Sequence, residues 1–249
     1  MIKNTRIILS ERLIAASSMI TKGNIVCDVG CDHGFVSIYL VQNGICPRAI
    51  AMDVNEGPLN AAKEHILDYG LSKYIETRLS DGIAGLSMGE AETMFCAGMG
   101  GILMQRILQD GKDKTNAFKE LILQPQSKIE DVRAYLRKQG YQITDEKMIF
   151  EDGKYYPMMR AVSSEKVLLA DSEAKQRVED KYGPMLLRGN NEVLFEFLKR
   201  EQNICENILL QMEAAEEIKE VSVERKQERT KEIEDRIADI RTALSYYEN

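Results

Sequence analysis

Five short apolar runs rich in β-branched residues, at 25–29, 49–54, 74–79, 93–97 and 121–123, alternate with amphipathic stretches at 35–42, 58–69, 102–109 and 128–139. A strand period that repeatedly gives way to a helical one points to βαβα units, with a mostly parallel sheet covered by helices on both faces. Local punctuation agrees with this. Pro58 stands in a first helical turn, and Gly44, Gly70 and Gly140 fall just past helix ends. After Gly140 the rhythm changes to two long strand-like runs, 141–150 and 155–162, joined by Asp152-Gly153, a hairpin signal. An antiparallel pair is therefore expected to close the sheet. Upstream, 9–20 reads as a short helix with Ser10 as its N-cap.

The remainder of the chain has a helical period. Val193, Phe197, Ile204, Ile208, Met212 and Ala215 form one stripe, and Ile233, Ile237, Ile240, Leu244 and Tyr247 form a second with heptad spacing. Two long antiparallel helices are expected. The heptads are too few for a dimerisation zipper, so the pair should close within one chain and the protein should act as a monomer. The charged stretch 216–232 reads as a solvated helix face or turn. The expected domains are 1–162, an α/β sheet domain, and 163–249, a helical domain ending in a coiled-coil-like hairpin.

Charge and cysteine content narrow the function classes. Residues 1–160 carry 19 Lys and Arg against 20 Asp and Glu, and the remainder 14 against 20. Overall acidity argues against nonspecific nucleic-acid binding, yet the nearly neutral first part has room for a basic face built from Arg6, Arg12, Lys22 and Arg106. No apolar run approaches the roughly 18 residues of a membrane span, and Arg6, Glu11 and Arg12 interrupt any signal-peptide core. A cytoplasmic location without membrane partners is expected. Five scattered cysteines fit reduced thiols better than a disulfide framework.

The turn after the first strand, "VCDVGCDHGF", stands where α/β sheets bind ligands. A dinucleotide fold would show G-x-G-x-x-G. Here the frame is Asp28-x-Gly30-x-x-x-Gly34, with Cys31, Asp32 and His33 inside it. Asp32 would repel a pyrophosphate, whereas an α-amino group or a sulfonium gains from nearby carboxylates. S-adenosylmethionine carries both. Asp53 ends the second strand, where a carboxylate can accept from both ribose hydroxyls, and the following Val54 joins the same site. Asp81 follows the third strand, placed to accept from the adenine amine, with Gly82 allowing a sharp turn. These features mark a Rossmann-like methyltransferase site whose cofactor-binding residues are Asp28, Gly30, Cys31, His33, Gly34, Asp53, Val54, Asp81, Gly82, Gly98 and Met99. His33 can equally serve as a cap for the loop. A radical iron–sulfur signature fails because Gly34 occupies the third cysteine's place, and Cys27, Cys31 and His33 lack a second pair of zinc ligands. No metal is expected.

After the fourth strand, "MFCAGMGGILM" offers Gly98, Gly100 and Gly101, a backbone that a flat base can approach closely; the Asn/Asp-Pro-Pro-aromatic stretch of many exocyclic-amine methyltransferases is missing. The stretches "LSERL", "VCDVGCDHGFVSIYL", "AMDVNEGPLNAAKEH", "SDGIAGL", "AGMGG", "LILQPQ" and "EDGKYY" occur in the order and spacing of the bacterial TrmK family, the tRNA (adenine-22-N1)-methyltransferases, which the chain resembles over most of 9–162 and more loosely through its tail. Two departures stand out: Cys31 replaces a small residue, and Gly34-Phe35 replaces a frequent Ala-Tyr, removing a hydroxyl beside the cofactor.

The resemblance implies a Rossmann-like class I methyltransferase sheet, S-adenosylmethionine as cofactor and tRNA as partner. Adenine N1 carries an available lone pair, so transfer to it requires no general base and positioning should dominate. Asp32 is the candidate for charge stabilisation near the methyl group, with a purely cofactor-binding role as its alternative. Gln124 and Gln126 could read the base edge or hold its backbone, Gly100 and Gly101 could admit the base, and Arg12 could contact phosphate. A methyltransferase of small molecules or proteins is the alternative function.

Overall fold

The computed structural model describes residues 5–214 and 223–248. The chain divides into two compact units that meet between Leu168 and Leu169. The first unit is a seven-stranded sheet of order β3-β2-β1-β4-β5-β7-β6. Its strands are β1 (Val26–Val29), β2 (Ala49–Asp53), β3 (Ile75–Leu79), β4 (Thr93–Met99), β5 (Glu120–Pro125), β6 (Tyr141–Glu151) and β7 (Lys154–Ser163). The first five run parallel; β7 is antiparallel to β5, and β6 to β7. The helices of this unit are α1 (Glu11–Ser17), α2 (Phe35–Gln42), α3 (Glu56–Asp68), α4 (Gly101–Asp110), the single turn α5 (Lys112–Thr115) and α6 (Ile129–Lys138).

Burial explains the near-continuous apolar runs. Every residue of β1, β2 and β5 is buried, as a parallel sheet covered on both faces requires. The chain crosses from β3 at one side of β1 to β4 at the other, so the C-terminal ends of β1 and β4 form the topological switch point. A buried ion pair joins α6 to β6: Arg133 Nε lies 2.7 Å from Glu146 Oε1. The expected hairpin is present, with Asp152 and Gly153 both at positive φ, as a type I′ turn needs.

The helix expected over 9–20 is shorter, and Ser10 stands at its N-cap position without a side-chain cap bond. Glu151 caps the helix from a distance, its Oε1 accepting from the amide of Glu11, the first helical residue, at 2.6 Å. A cap arriving from 140 residues away leaves no local signature.

The second unit holds α7 (Glu173–Tyr182), α8 (Pro184–Arg188), α9 (Glu192–Ala214) and α10 (Val223–Leu244), followed by one 3₁₀ turn, Ser245–Glu248. Phe195 near the start of α9 meets Tyr247 beyond the end of α10, ring centroids 5.1 Å apart, so the long helices run antiparallel. The second expected stripe is correct, with Ile233, Ile237, Ile240 and Leu244 all buried. The first is out of phase by one residue. Leu194, Leu198 and Cys205 are the buried positions, and Ile204 is 39% exposed. The stripe followed β-branched and aromatic residues, whereas the seam uses their leucine and cysteine neighbours. Ala215 and the 216–222 part of the charged stretch lie outside the described residues. Among the described residues, no helix is long and apolar enough to cross a membrane.

Candidate functional site

The ends of β1, β2 and β4 and the turn after β3 enclose a cavity of about 510 Å³, within the range that small-molecule sites occupy. Its floor is the loop from Gly30 to His33. The amides of Gly30 and Cys31 both donate to the Met52 carbonyl, at 2.8 and 2.9 Å, which folds the loop back over β2. Gly30, Asp32 and Gly34 have φ of 73°, 50° and 74°. Aspartate is among the few side chains that tolerate this region. A Cβ on Gly30 would sit 2.1 Å from the Met99 methyl, so bare backbone faces the β4 loop there. On Gly34 it would meet Ala62 Cβ at 3.0 Å, which makes that glycine a contact between the loop and α3.

Three carboxylates face this space, from β1, from the end of β2 and from the turn after β3. Asp28 is buried on β1 and accepts from Ser37 Oγ at 2.7 Å. Burial, aided by the neighbouring Asp53 charge and opposed by the Ser37 hydrogen bonds, lifts its pKa to about 6. Asp53 is 8% exposed at the end of β2, where Oδ2 accepts from the Asp32 amide at 3.2 Å and Oδ1 from the Asn55 amide at 2.9 Å. Both oxygens are thereby held in a fixed plane with lone pairs to spare. Asp81 is exposed and pairs with Arg106 Nη2 at 3.0 Å. Gly82, φ 55°, makes the turn, and a Cβ there would stand 2.8 Å from Ile107.

Asp32 and His33 are exposed at the rim, with Oδ1 and Nε2 3.6 Å apart. Phe35 stacks on His65, centroids 4.6 Å apart, and the His65 Nδ1 lies 3.0 Å from the His33 carbonyl oxygen, so this imidazole braces the loop. The Cys31 thiol is buried, and its pKa is raised by that burial and by Asp28, which keeps it protonated. Among the described residues, no group of three or more His, Cys, Asp or Glu is placed to hold a metal.

Opposite the carboxylates lies the β4 loop. β4 slips register against β5 between Ala97 and Met99, and Gly98 occupies the bulge with φ 82° and an amide that donates to Gln124 Oε1 at 3.1 Å. Val54, Gly98, Met99, Arg12 and Gln126 all line the cavity. Four expected residues do not: Gly34, Gly100, Gly101 and Gln124. Gly101 is buried, and its missing Cβ would meet the Ser127 carbonyl at 2.4 Å, so its packing reason is contact between backbones. Gln124 is 1% exposed. The guanidinium of Arg12 donates to Gln124 Oε1 at 3.2 Å and lies over the Tyr156 ring.

The apolar lining went unread in the sequence. Phe95, Leu103 and Ile107 reach the cavity from β4 and α4, and Leu13 from α1. In a sequence these are indistinguishable from core residues. Asn55 and Ser80 also line it, and their adjacency to Asp53-Val54 and Asp81 was the available signal.

The residues suit S-adenosylmethionine: fixed carboxylates for hydroxyls, an amine and a cation, a glycine floor, and apolar walls for a flat purine. Residues 9–159 match the family model "Methyltransferase domain". The tRNA (adenine(22)-N(1))-methyltransferase of Bacillus subtilis (strain 168) is 31% identical over 241 residues, spanning 96% of this chain and 98% of that protein. The crystal structure of the B. subtilis M1A22 tRNA methyltransferase TrmK is 30% identical, with a TM-score of 0.79 and coverage of 95% of this chain and 99% of the other. Streptococcus pneumoniae Sp1610, solved in complex with S-adenosyl-L-methionine, is 30% identical with a TM-score of 0.77, covering 95% of this chain and all of its own. With the carboxylate-lined crevice at the switch point and this likeness along nearly its whole length, the chain belongs to the methyltransferase-domain family and, within it, to the TrmK family of tRNA (adenine(22)-N(1))-methyltransferases.

Proposed function

We propose that the protein methylates N1 of adenine 22 in tRNA, as its B. subtilis relative is named for doing. The observation that carries the reading is the convergence of Asp28, Asp53 and Asp81 on one cavity, with the Gly98 bulge facing them, in a chain of this family. When bound, the cofactor supplies an electrophilic methyl group on a sulfonium sulfur. Asp53 would accept from the ribose hydroxyls, Asp81 would accept from the purine amine in place of Arg106, and Asp28 would face the positively charged amino acid end.

Because the N1 lone pair is available, no side chain has to remove a proton before transfer. The chain's work is placement and charge. Gln126, exposed on the cavity wall beside Gly98, holds the base edge, and the bulge lets the base lie flat against backbone. Asp32, exposed at the rim, offsets the positive charge that the product base acquires. The target base must leave its stack to enter, which costs a few kcal/mol and favours an adenine in a loosely paired part of the tRNA. We further propose that the protein works as a monomer in the cytoplasm; light scattering should then give a mass near 28.3 kDa.

Incubation with labelled S-adenosylmethionine and two tRNA transcripts, one with adenine and one with guanine at position 22, tests the reading. Label should enter the first alone. Equal labelling of both, or labelling only of protein or small molecules in an extract, would overturn it.

A further inference from the structure

We propose that Glu151, the last residue of β6, is a positioning residue for methyl transfer: it holds Arg12, and Arg12 in turn fixes the Gln124 carboxamide and the Gly98 bulge. The proposal rests on the reading above. Arg12 was expected to contact phosphate; in the structure three strands engage its guanidinium. Nη1 donates to Gln124 Oε1 on β5, Nε lies 3.7 Å from Glu151 Oε2 on β6, and Cζ sits 5.3 Å from the ring centroid of Tyr156 on β7. The Arg12 and Glu151 side chains are 23% and 17% exposed, so the pair is shielded well beyond an ordinary surface ion pair.

The Gln124 amide shows what this arrangement accomplishes. Its oxygen accepts from two donors, Arg12 Nη1 at 3.2 Å and the Gly98 amide at 3.1 Å. Turning the carboxamide over would press its NH₂ against both, so the orientation is enforced. Its Nε2 is buried without a partner, a cost that only a well-held oxygen offsets. Gly98 is thus pinned at the bulge by a side chain that never reaches the cavity surface, and Arg12 and Gly98 both line that cavity.

Glu151 anchors the far end. One oxygen caps α1 at the Glu11 amide, which Ser10 leaves without a side-chain partner, and the other faces Arg12. Loss of its charge should loosen Arg12, then the carboxamide, then the bulge. The effect should fall on the target-base side, because Asp53 and Asp81 belong to β2 and the turn after β3.

Glu151→Gln tests this, since it keeps an oxygen for the Glu11 amide and removes only the charge. We expect kcat on adenine-22 tRNA to fall about tenfold, with cofactor Kd changed by less than about twofold, as expected of a group that orients rather than binds. Arg12→Gln should give a similar loss, and the double variant no further loss, because the two act in series. An activity-independent readout accompanies this. In the ligand-free protein, hydrogen exchange of the Gly98 amide and the Gln124 carboxamide, followed by NMR, should quicken about tenfold in Glu151→Gln. Unchanged kcat with an active wild type, multiplicative losses in the double variant, or unchanged exchange would each overturn the proposal. A wild type inactive on tRNA would instead count against the proposed function, while the exchange measurement still decides the role of Glu151.

Discussion

Asp28→Asn should make the ligand-free protein more stable at neutral pH while impairing it as an enzyme. Asp28 is buried on β1, where Ser37 hydrogen-bonds its carboxylate, and its pKa is raised from 3.8 to about 6. A difference of about two units corresponds to roughly 3 kcal/mol at neutral pH. The sign follows from proton binding. Between pH 4 and pH 6 the native state holds the proton more tightly than the unfolded chain, so stability falls as pH rises through that window, and above it the full penalty is present. Asparagine still accepts from Ser37 and carries no charge. Its variant should therefore melt about 5 °C or more above the wild type at pH 7.5, given roughly 2–4 °C per kcal/mol in a chain of this size. The advantage should vanish near pH 4. Thermal melts across pH 4 to 7.5 check this. A difference independent of pH, or a variant less stable at pH 7.5, would refute the reasoning.

The other expectations concern ligand affinity and the core. Cofactor affinity should weaken about fivefold on going from pH 6 to pH 5, because a cationic ligand end needs Asp28 ionised and its ionised fraction falls by about that factor across its raised pKa, and calorimetry on Asp28→Asn should show the dependence flattened. Asp53→Ala should reduce cofactor affinity by at least about 100-fold, the low end for two hydrogen bonds to a charged group, measured by the same titration. Glu146→Ala should lower unfolding free energy by roughly 3–5 kcal/mol, because it removes the carboxylate 2.7 Å from the buried Arg133 guanidinium and breaks a buried ion pair; denaturant melts would show it, and a loss below about 1 kcal/mol would contradict it. Gly101→Ala should destabilise by roughly 1–3 kcal/mol, since its Cβ would overlap the Ser127 carbonyl and that backbone must shift.

Features set by local chemistry were readable from the residues. Strand and helix periods, the Asp152-Gly153 turn and the carboxylates at the ends of β1, β2 and after β3 all follow from neighbours in sequence, and the structure has the elements within a few residues of where the periods place them. Features set by distant contacts were hidden. Nothing near Ser10 reveals that Glu151 will cap α1, and nothing near Gln124 reveals that Arg12 will turn its amide. α7 was missed because its exposed, charged sequence EAKQRVEDKY buries only Val178, Glu179 and Tyr182, too few apolar positions to show a period. The phase error in α9 has a similar origin: two apolar stripes run side by side there, and only packing against α10 decides which is the seam.

The most direct test of the central claim is a crystal structure of this chain with S-adenosylhomocysteine. Both ribose hydroxyls should lie within hydrogen-bond reach, about 2.5–3.0 Å, of the Asp53 carboxylate, with the purine amine on Asp81 and the sulfur facing the Gly98 bulge. A ligand bound away from these strand ends, or a ribose held by other groups with Asp53 still turned wholly to the Asp32 and Asn55 amides, would contradict it.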